Sequence, residues 1–410
     1  MTTSSTPANV PDNNGISHGM TWLLATACGL IVANIYYAQP LIGPIAAALG
    51  LTPAAAGLIV TMTQIGYGAG LILIVPLADL LENRRLVLSV LGIAILALLG
   101  AAFANQPLSF LLAALLIGIG SVAVQVLVPY AAHLAPEAMR GRVVGNVMIG
   151  LMLGVMLARP GASFITSISS WHVVFLVSAF VMLLLSLVLA RALPSRTPTN
   201  RPHYRKLLAS MAHLALNTPL LRRRALYQAC LFAAFSLFWT TTPLLLAGPA
   251  FHLSQRGIAL FALAGVAGAI AAPIAGRVAD RGWSRPATGI AMISVALAFG
   301  LTHLVPAGSP MALGLLVVAA ILIDFGVQAN VVLGYRAIFT LGAEYRGRLN
   351  GLYMATFFGA GAVGSAAGGW AFAHGGWALA SAIGLTLPIA ALLYFATERA
   401  QCGEPASVTR

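Results

Sequence analysis

Asp324 is the residue in this chain best placed to do chemistry. It lies in the stretch Ile321 to Arg348, ILIDFGVQANVVLGYRAIFTLGAEYRGR, inside a long apolar run, with Gln328 one helical turn later and a basic exit at Arg336, Arg346 and Arg348. Keeping a carboxylate at the centre of a membrane-spanning helix costs about 2.5–3.5 kcal/mol on insertion scales, so a chain that retains one has a use for it. Its counterpart is Arg159, the only basic residue deep in any apolar run, set in GLMLGVMLARPG. Gly150, Gly154 and Gly161 in that stretch permit close helix packing, and Pro160 frees a carbonyl from the helical ladder. Three roles for Arg159 stay open: salt-bridge partner of Asp324, anchor for an anionic group on a substrate, or a snorkelling residue with structural duty only. For Asp324 the alternative to proton handling is a structural pairing with Arg159.

Counted along helices that run in opposite directions, Arg159 and Asp324 come to similar depth near the middle of a bilayer and can face one another across a central cavity. Desolvation and a nearby guanidinium act in opposite senses on a carboxyl proton. The ionisation of Asp324 therefore depends on which side of the membrane the centre is open to, which is what proton coupling requires. Polar residues expected to shape the cavity are Asn34, Tyr36, Tyr37, Gln39, Gln125, Trp239, Thr241, Gln328 and Asn330, with Thr240 and Thr242 beside Thr241. Amides and hydroxyls among aromatics suit a partly apolar organic molecule with a few hydrogen-bonding groups. The competing role for each is an interhelical hydrogen bond, worth about 0.6 kcal/mol.

The elements that must position these residues are transmembrane helices. Hydrophobic residues make up 60% of the 410 and charged residues 8%, with a mean hydropathy of +0.93, far from soluble domains. Runs of about 20 apolar residues occur twelve times, at 20–48, 54–78, 85–104, 108–132, 143–168, 172–192, 224–247, 256–279, 286–305, 311–335, 348–372 and 376–397. The domains expected are a disordered cytoplasmic tail (1–18), a six-helix bundle (19–193), a basic linker with an interfacial helix (194–223), a second six-helix bundle (224–397) and a C-terminal tail (398–410). In the linker Leu207, Leu208, Met211 and Leu214 recur at helical spacing, as in a helix lying on the membrane surface. The formal charge of +13 sits mainly in alternate connections, while the opposite ones hold only Arg256. This pattern reads as topology, with both termini cytoplasmic, and excludes a nucleic-acid partner. The N-terminal tail lacks the charged region and cleavage site of a signal peptide. Cys28, Cys230 and Cys402 form no CxxC pair, so no metal site or disulfide framework is expected.

The halves look like repeats. Pro40 and Pro243, Asp79 and Asp280, and Arg140 and Arg346 recur in one order at offsets of 203, 201 and 206 residues. Transporters place their sites at such repeat interfaces. Twelve spans in two halves, with acidic-basic turns after spans two and eight, resemble the major facilitator superfamily over essentially the whole chain beyond the tail. Gly276, Asp280 and Arg281 in Gly276-Arg277-Val278-Ala279-Asp280-Arg281-Gly282 match the family's loop signature, Gly-x-x-x-Asp-(Arg)-x-Gly-x-(Arg/Lys), with Gly282 one position ahead of its second glycine when the Arg is counted. In the first copy Val75 and Glu82 replace its glycines, and Asp79, Arg84 and Arg85 remain. NIYYAQPL (Asn34 to Leu41) with Leu157 to Gly161 resembles the drug/proton antiporter-like branch of bacterial exporters. That branch carries an Arg in span four, and this chain has none between Leu108 and Ala132.

The resemblance implies an all-α fold of two pseudo-symmetric six-helix bundles in the bacterial inner membrane, working as a monomer. It implies gates at the basic loops: Asp79, with Arg84 and Arg85, against the start of span eleven near Arg346 and Arg348, and Asp280, with Arg281, against the start of span five near Arg140 and Arg142. A carboxylate there interacts favourably with a helix amino end. The function expected is secondary active transport of small organic molecules, by proton-coupled efflux, with a proton-coupled uptake symporter or a carrier of lipid-like substrates as alternatives. A membrane-embedded enzyme is disfavoured: there is no HExxH, no second intramembrane carboxylate and no His near a candidate nucleophilic Ser. Nothing resembles a nucleotide-binding loop, so no cofactor is expected. A non-transporting receptor is the remaining reading.

Overall fold

Lipid offers no hydrogen bonds, so each apolar run must satisfy its backbone internally, and the chain folds as helices. A computed structural model describes residues 17–198, 203–342 and 345–398, and no strand occurs among them. Most of both expected tails, and Cys402, lie outside the described residues. The first half comprises α1 (His18–Ala33), α2 (Ile42–Leu49), α3 (Leu58–Leu73), α4 (Asn83–Ala102), α5 (Pro107–Ser121), α6 (Ala123–Leu134), α7 (Arg140–Ile168) and α8 (Trp171–Ala192). The linker helix α9 (Tyr204–Asn217) follows. The second half comprises α10 (Pro219–Ala247), α11 (Gln255–Ala262), α12 (Ala271–Asp280), α13 (Ser284–Leu301), α14 (Pro310–Ile338) and α15 (Arg346–Ala396). These make twelve traverses in two six-helix bundles, because α1 with α2, α5 with α6, and α11 with α12 each cross once in pieces, and α15 crosses twice. It reverses at Gly375 and Gly376, and the φ of 58° at Gly376 is one that a side chain would resist.

Three spans read as continuous are broken, two of them beside the charged pair. In the first, expected at 20–48, α1 stops at Ala33 and the chain turns through Asn34 to Ala38 into a short 3-10 turn, Gln39–Leu41. Pro40 has no N–H, and its ring crowds the carbonyl of Tyr36, which ends the regular ladder. The eighth, expected at 256–279, passes through a 3-10 segment, Leu263–Ile270, between α11 and α12. Its sequence, LAGVAGAI, offers little helix preference at Gly265 and Gly268. The fourth divides at Val122 between α5 and α6.

Within the first half α1 packs on α7, α3 on α5, and α4 on α5 and α8; within the second, α10 packs on α15 and α13 on α14. The α1–α7 contact is backbone to backbone: a Cβ at Gly154 would collide with the carbonyl of Gly29. Gly161 faces open space. Outward-facing apolar side chains such as Trp22, Leu96, Phe103, Leu260 and Leu393 are largely exposed and form the lipid-facing belt.

The linker differs from its expectation. Helix α9 exists, but Leu207 and Met211 are buried against protein and not laid on lipid. Tyr204 Oη donates to the Leu73 carbonyl at 2.8 Å in the first half, and Ser210 accepts from Arg348 in the second, so α9 ties the halves together. Helix α10 also starts at Pro219, inside the stretch assigned to the linker, because Pro at the first position suits a helix start.

Candidate functional site

The lone acid and the lone base meet at the centre. Arg159 lies nine residues before the end of α7, about 14 Å along the helix, and Asp324 fourteen residues into α14, about 21 Å. Arg159 Nη1 stands 3.7 Å from Asp324 Oδ1, and the two side chains are 2% and 7% exposed. The pair joins the two halves and is loose: the other carboxylate oxygen, Oδ2, accepts from Trp239 Nε1 at 2.9 Å, and Arg159 Nε donates to Gln39 Oε1 at 2.7 Å. The guanidinium carbon lies 4.3 Å from the Trp239 ring centre, 4.9 Å from that of Phe235 and 5.2 Å from that of Tyr36. Desolvated cation–π contacts of this kind reach about 2 kcal/mol. Removing one member of a buried pair strands the other at a cost of about 3–5 kcal/mol.

The broken spans explain how the groups converge. The turn after α1 brings Tyr36 and Gln39 to Arg159, and the 3-10 segment brings its glycines against the other side. A Cβ at Gly265 would stand 3.1 Å from Arg159 Nη1 and 3.5 Å from Asp324 Oδ1, and one at Gly268 would stand 2.8 Å from Asp324 Cβ. Non-helical backbone at membrane depth is tolerated where protein buries it.

Other polar residues named from sequence serve elsewhere. Asn34 accepts from Ser178 at 2.5 Å, tying the turn to α8. Tyr37 is half-buried in an apolar groove of about 410 Å³ between α1, α7 and α8, away from the pair. Asn330 donates to Gln228 at 2.8 Å. Thr241 donates to the Leu237 carbonyl of its own helix. Gln328 is half-buried and makes no hydrogen bond among the described residues. Gln125 joins the halves on the side toward α9: it donates to Tyr67 Oη at 2.9 Å and accepts from Asn350 at 3.2 Å.

The opposite, distal end holds a seam that sequence reasoning passed over. Ser163 donates to both the backbone and side-chain oxygens of Gln255 at 2.9 Å. Thr61 donates to the Ala362 carbonyl at 3.1 Å, Ser365 to that of Gly57 at 3.1 Å, and Gln64 to Ser236 at 2.6 Å. Gln64, an amide in the middle of an apolar run, carried the same signal that singled out Gln125. The Ser163 and Ser365 hydroxyls carried none, since serine is common in any span.

At the basic end the residues expected to form gates divide. Burial raises the carboxyl pKa of Asp79 above the usual range, while the groups acting electrostatically on it are Arg348 at the start of α15, Arg196 and His133. Asp280 bonds Arg336 of its own half at 2.6 Å instead of the start of α7. There Arg142 is exposed, Gly141 and Gly145 face open space, and Arg140 donates back to the Ala132 carbonyl. Arg84 donates to the Ala190 and Leu193 carbonyls, capping α8, and Arg85 pairs with Glu82 at 2.8 Å. Arg281 is exposed, and so is Arg346, which reaches over the Phe339 ring.

A sequence model of the Major Facilitator Superfamily matches residues 22–333. The chain belongs to the major facilitator superfamily. It is 38% identical over 371 residues to YgaY of Escherichia coli O157:H7, named an uncharacterized transporter, covering 88% of this chain and 92% of that one. A probable transporter of Streptomyces coelicolor is 33% identical over 351 residues, with coverage of 85% and 80%. In fold, this superfamily member is similar to the nucleoside transporter NupG, with a TM-score of 0.74 at 15% identity over 92% of this chain and 99% of NupG. It is likewise similar to a POT family transporter in complex with 5-aminolevulinic acid, at 0.71 and 14% over 92% and 94%. It is a multi-pass membrane transporter of small molecules and not an enzyme.

Proposed function

We propose that this transporter moves small organic molecules across the bacterial cytoplasmic membrane by alternating access, as a monomer, with the proton as coupling ion and Asp324 as its carrier. The basic end, with both termini, faces the cytoplasm, following the excess of basic residues in the connections there. One observation carries the reading: the Arg159–Asp324 pair spans the two halves at a single long contact, so rocking one half against the other changes both partner and solvation of the carboxylate. Coupling needs that dependence.

Direction follows from what the substrate does to the pair. A neutral or cationic substrate that competes with the proton for Asp324 gives efflux by antiport, as the exporter-like motifs suggest. A substrate that takes Arg159 and leaves the proton on Asp324 gives uptake by symport, and unpaired donors beside Arg159 favour this second reading.

The test uses proteoliposomes with an imposed pH gradient and a panel of organic acids, amines and neutral compounds. The wild type accumulates or expels at least one of them. Asp324→Asn loses gradient-driven movement by more than about tenfold, while substrate exchange without a gradient persists. Undiminished gradient-driven movement in Asp324→Asn overturns the proposal.

A further inference from the structure

Two buried hydrogen-bond donors at the centre have no acceptor among the described residues: Arg159 Nη2 and Gln39 Nε2. Leaving a buried donor unpaired is unfavourable, and more so when it is charged. These two belong to side chains already bonded to each other, since Gln39 Oε1 holds Arg159 Nε. Nε and Nη2 form one edge of the rigid guanidinium fork, so Nη2 opens on the same side as the amide that carries Nε2. Both side chains are at least nine-tenths buried, at 2% and 1% exposure. Other unpaired buried atoms, such as Gln64 Oε1, Gln228 Nε2 and Tyr353 Oη, are on side chains not bonded to one another.

We infer that Arg159 Nη2 and Gln39 Nε2 receive the carboxylate of an organic acid, whose apolar body lies against the Tyr36, Phe235 and Trp239 rings. An arginine edge and an amide donor match the acceptor-only oxygens of a carboxylate, and the rings supply flat apolar walls.

The charge balance fixes what accompanies the acid. Arg159 and ionised Asp324 together are neutral. A bound carboxylate would leave one uncompensated negative charge in a buried site, which is strongly unfavourable, unless Asp324 takes a proton. The charged and titratable groups facing Asp324 among the described residues are Arg159 from α7 and Tyr36 from the turn after α1; α10 contributes Trp239, and the 3-10 segment Gly265 and Gly268. Among the described residues no second cation faces Asp324 to offset the charge. Acid and proton therefore occupy the centre together and cross in the same direction, as symport. This deepens the proton-coupled reading above and rests on it for the transport step, though not for binding.

Binding is tested on the purified full-length chain by thermal unfolding with benzoate, phenylacetate, butanoate and succinate, each against its amide. At least one acid, and not its amide, raises the melting temperature. Its affinity rises as the pH falls, by up to about tenfold per unit for one linked proton. Gln39→Leu weakens it about tenfold, Gln39→Glu, which sets a fixed carboxylate on the arginine, abolishes it, and Asp324→Asn binds with no pH dependence. If every acid stabilises no more than its amide, or if Asp324→Asn retains the wild-type pH dependence, the inference fails. The two proposals fail separately. Acid binding with this pattern and no flux in proteoliposomes removes the transport reading and leaves the site. Proton-coupled flux of an amine or amide without acid binding does the reverse.

Discussion

At the distal end the two halves approach backbone to backbone, with Gly57 against Ser365 and Gly369. At the basic end they meet through side chains, and on one flank more than the other. There Gln125, Tyr67 and Asn350 tie α6 and α3 to α15, and α9 adds a strap from Leu73 to Arg348. On the symmetry-related flank Asp280 has turned to Arg336, and the start of α7 faces open space. A seam of glycine backbones leaves few positions for adjustment, whereas long side chains can release one partner and find another. The difference leaves the basic end, on the side of α7 and α12, as the flank with fewer side-chain bonds between the halves among the described residues. It also shows that a repeated motif need not make a repeated contact.

Crowding the distal seam is the most direct way to break that contrast. Gly57→Leu drives a side chain into the Ser365 carbonyl, so the seam cannot close; transport falls by more than about tenfold, and a cysteine placed at Ser163 becomes reactive to a membrane-impermeant thiol reagent from the distal side. Unchanged reactivity there would mean that the seam is not what seals this end. A smaller effect comes from Gln64→Leu, which removes the bond to Ser236. At about 0.6–1.7 kcal/mol for an interhelical hydrogen bond, the sealed state loses about three- to twentyfold in population, read from the same labelling rate.

The basic end sharpens the comparison through its two aspartates. Asp79→Asn lowers transport several fold, because Arg348 on α15 and Arg196 in the linker lose a nearby opposite charge. Asp280→Asn changes it by less than about twofold, since its pair with Arg336 is 45% and 63% exposed and such pairs contribute about 0–1 kcal/mol. Equal losses from both would restore the symmetric gate and remove the asymmetry argued here. The smallest effect on transport is that of Arg84→Ala. Losing its bonds to the end of α8 lowers stability by about 0.3–1 kcal/mol, seen as a lower melting temperature with transport unchanged.

Much of the fold was legible because lipid leaves few options: apolar runs of the right length must be helices, and basic residues mark one side. The meeting of Arg159 and Asp324 was also readable, since two isolated charges at equal depth have few other partners. The broken spans were less so. Pro40 announces a break, yet Pro160 and Pro243 lie inside unbroken helices, so proline alone does not tell a kink from a stop. For polar residues the difficulty was rotation about the helix axis. Gln39 and Asn34 are close in sequence, but one faces Arg159 and the other Ser178. The Arg84 cap and the α9 strap depend on where distant carbonyls end up, and no local pattern records that.

Composition and charge placement by themselves determined that this chain spans a membrane twelve times in two related halves, with one acid and one base kept at mid-depth, because burying backbone and charge in hydrocarbon constrains every local choice. Tertiary structure alone decided which polar groups join that pair, which end is sealed by backbone contact, and that two amide and guanidinium donors stay unmatched beside it. Those outcomes depend on helix rotation and on the packing of segments more than a hundred residues apart, which contacts between the halves fix and local sequence does not.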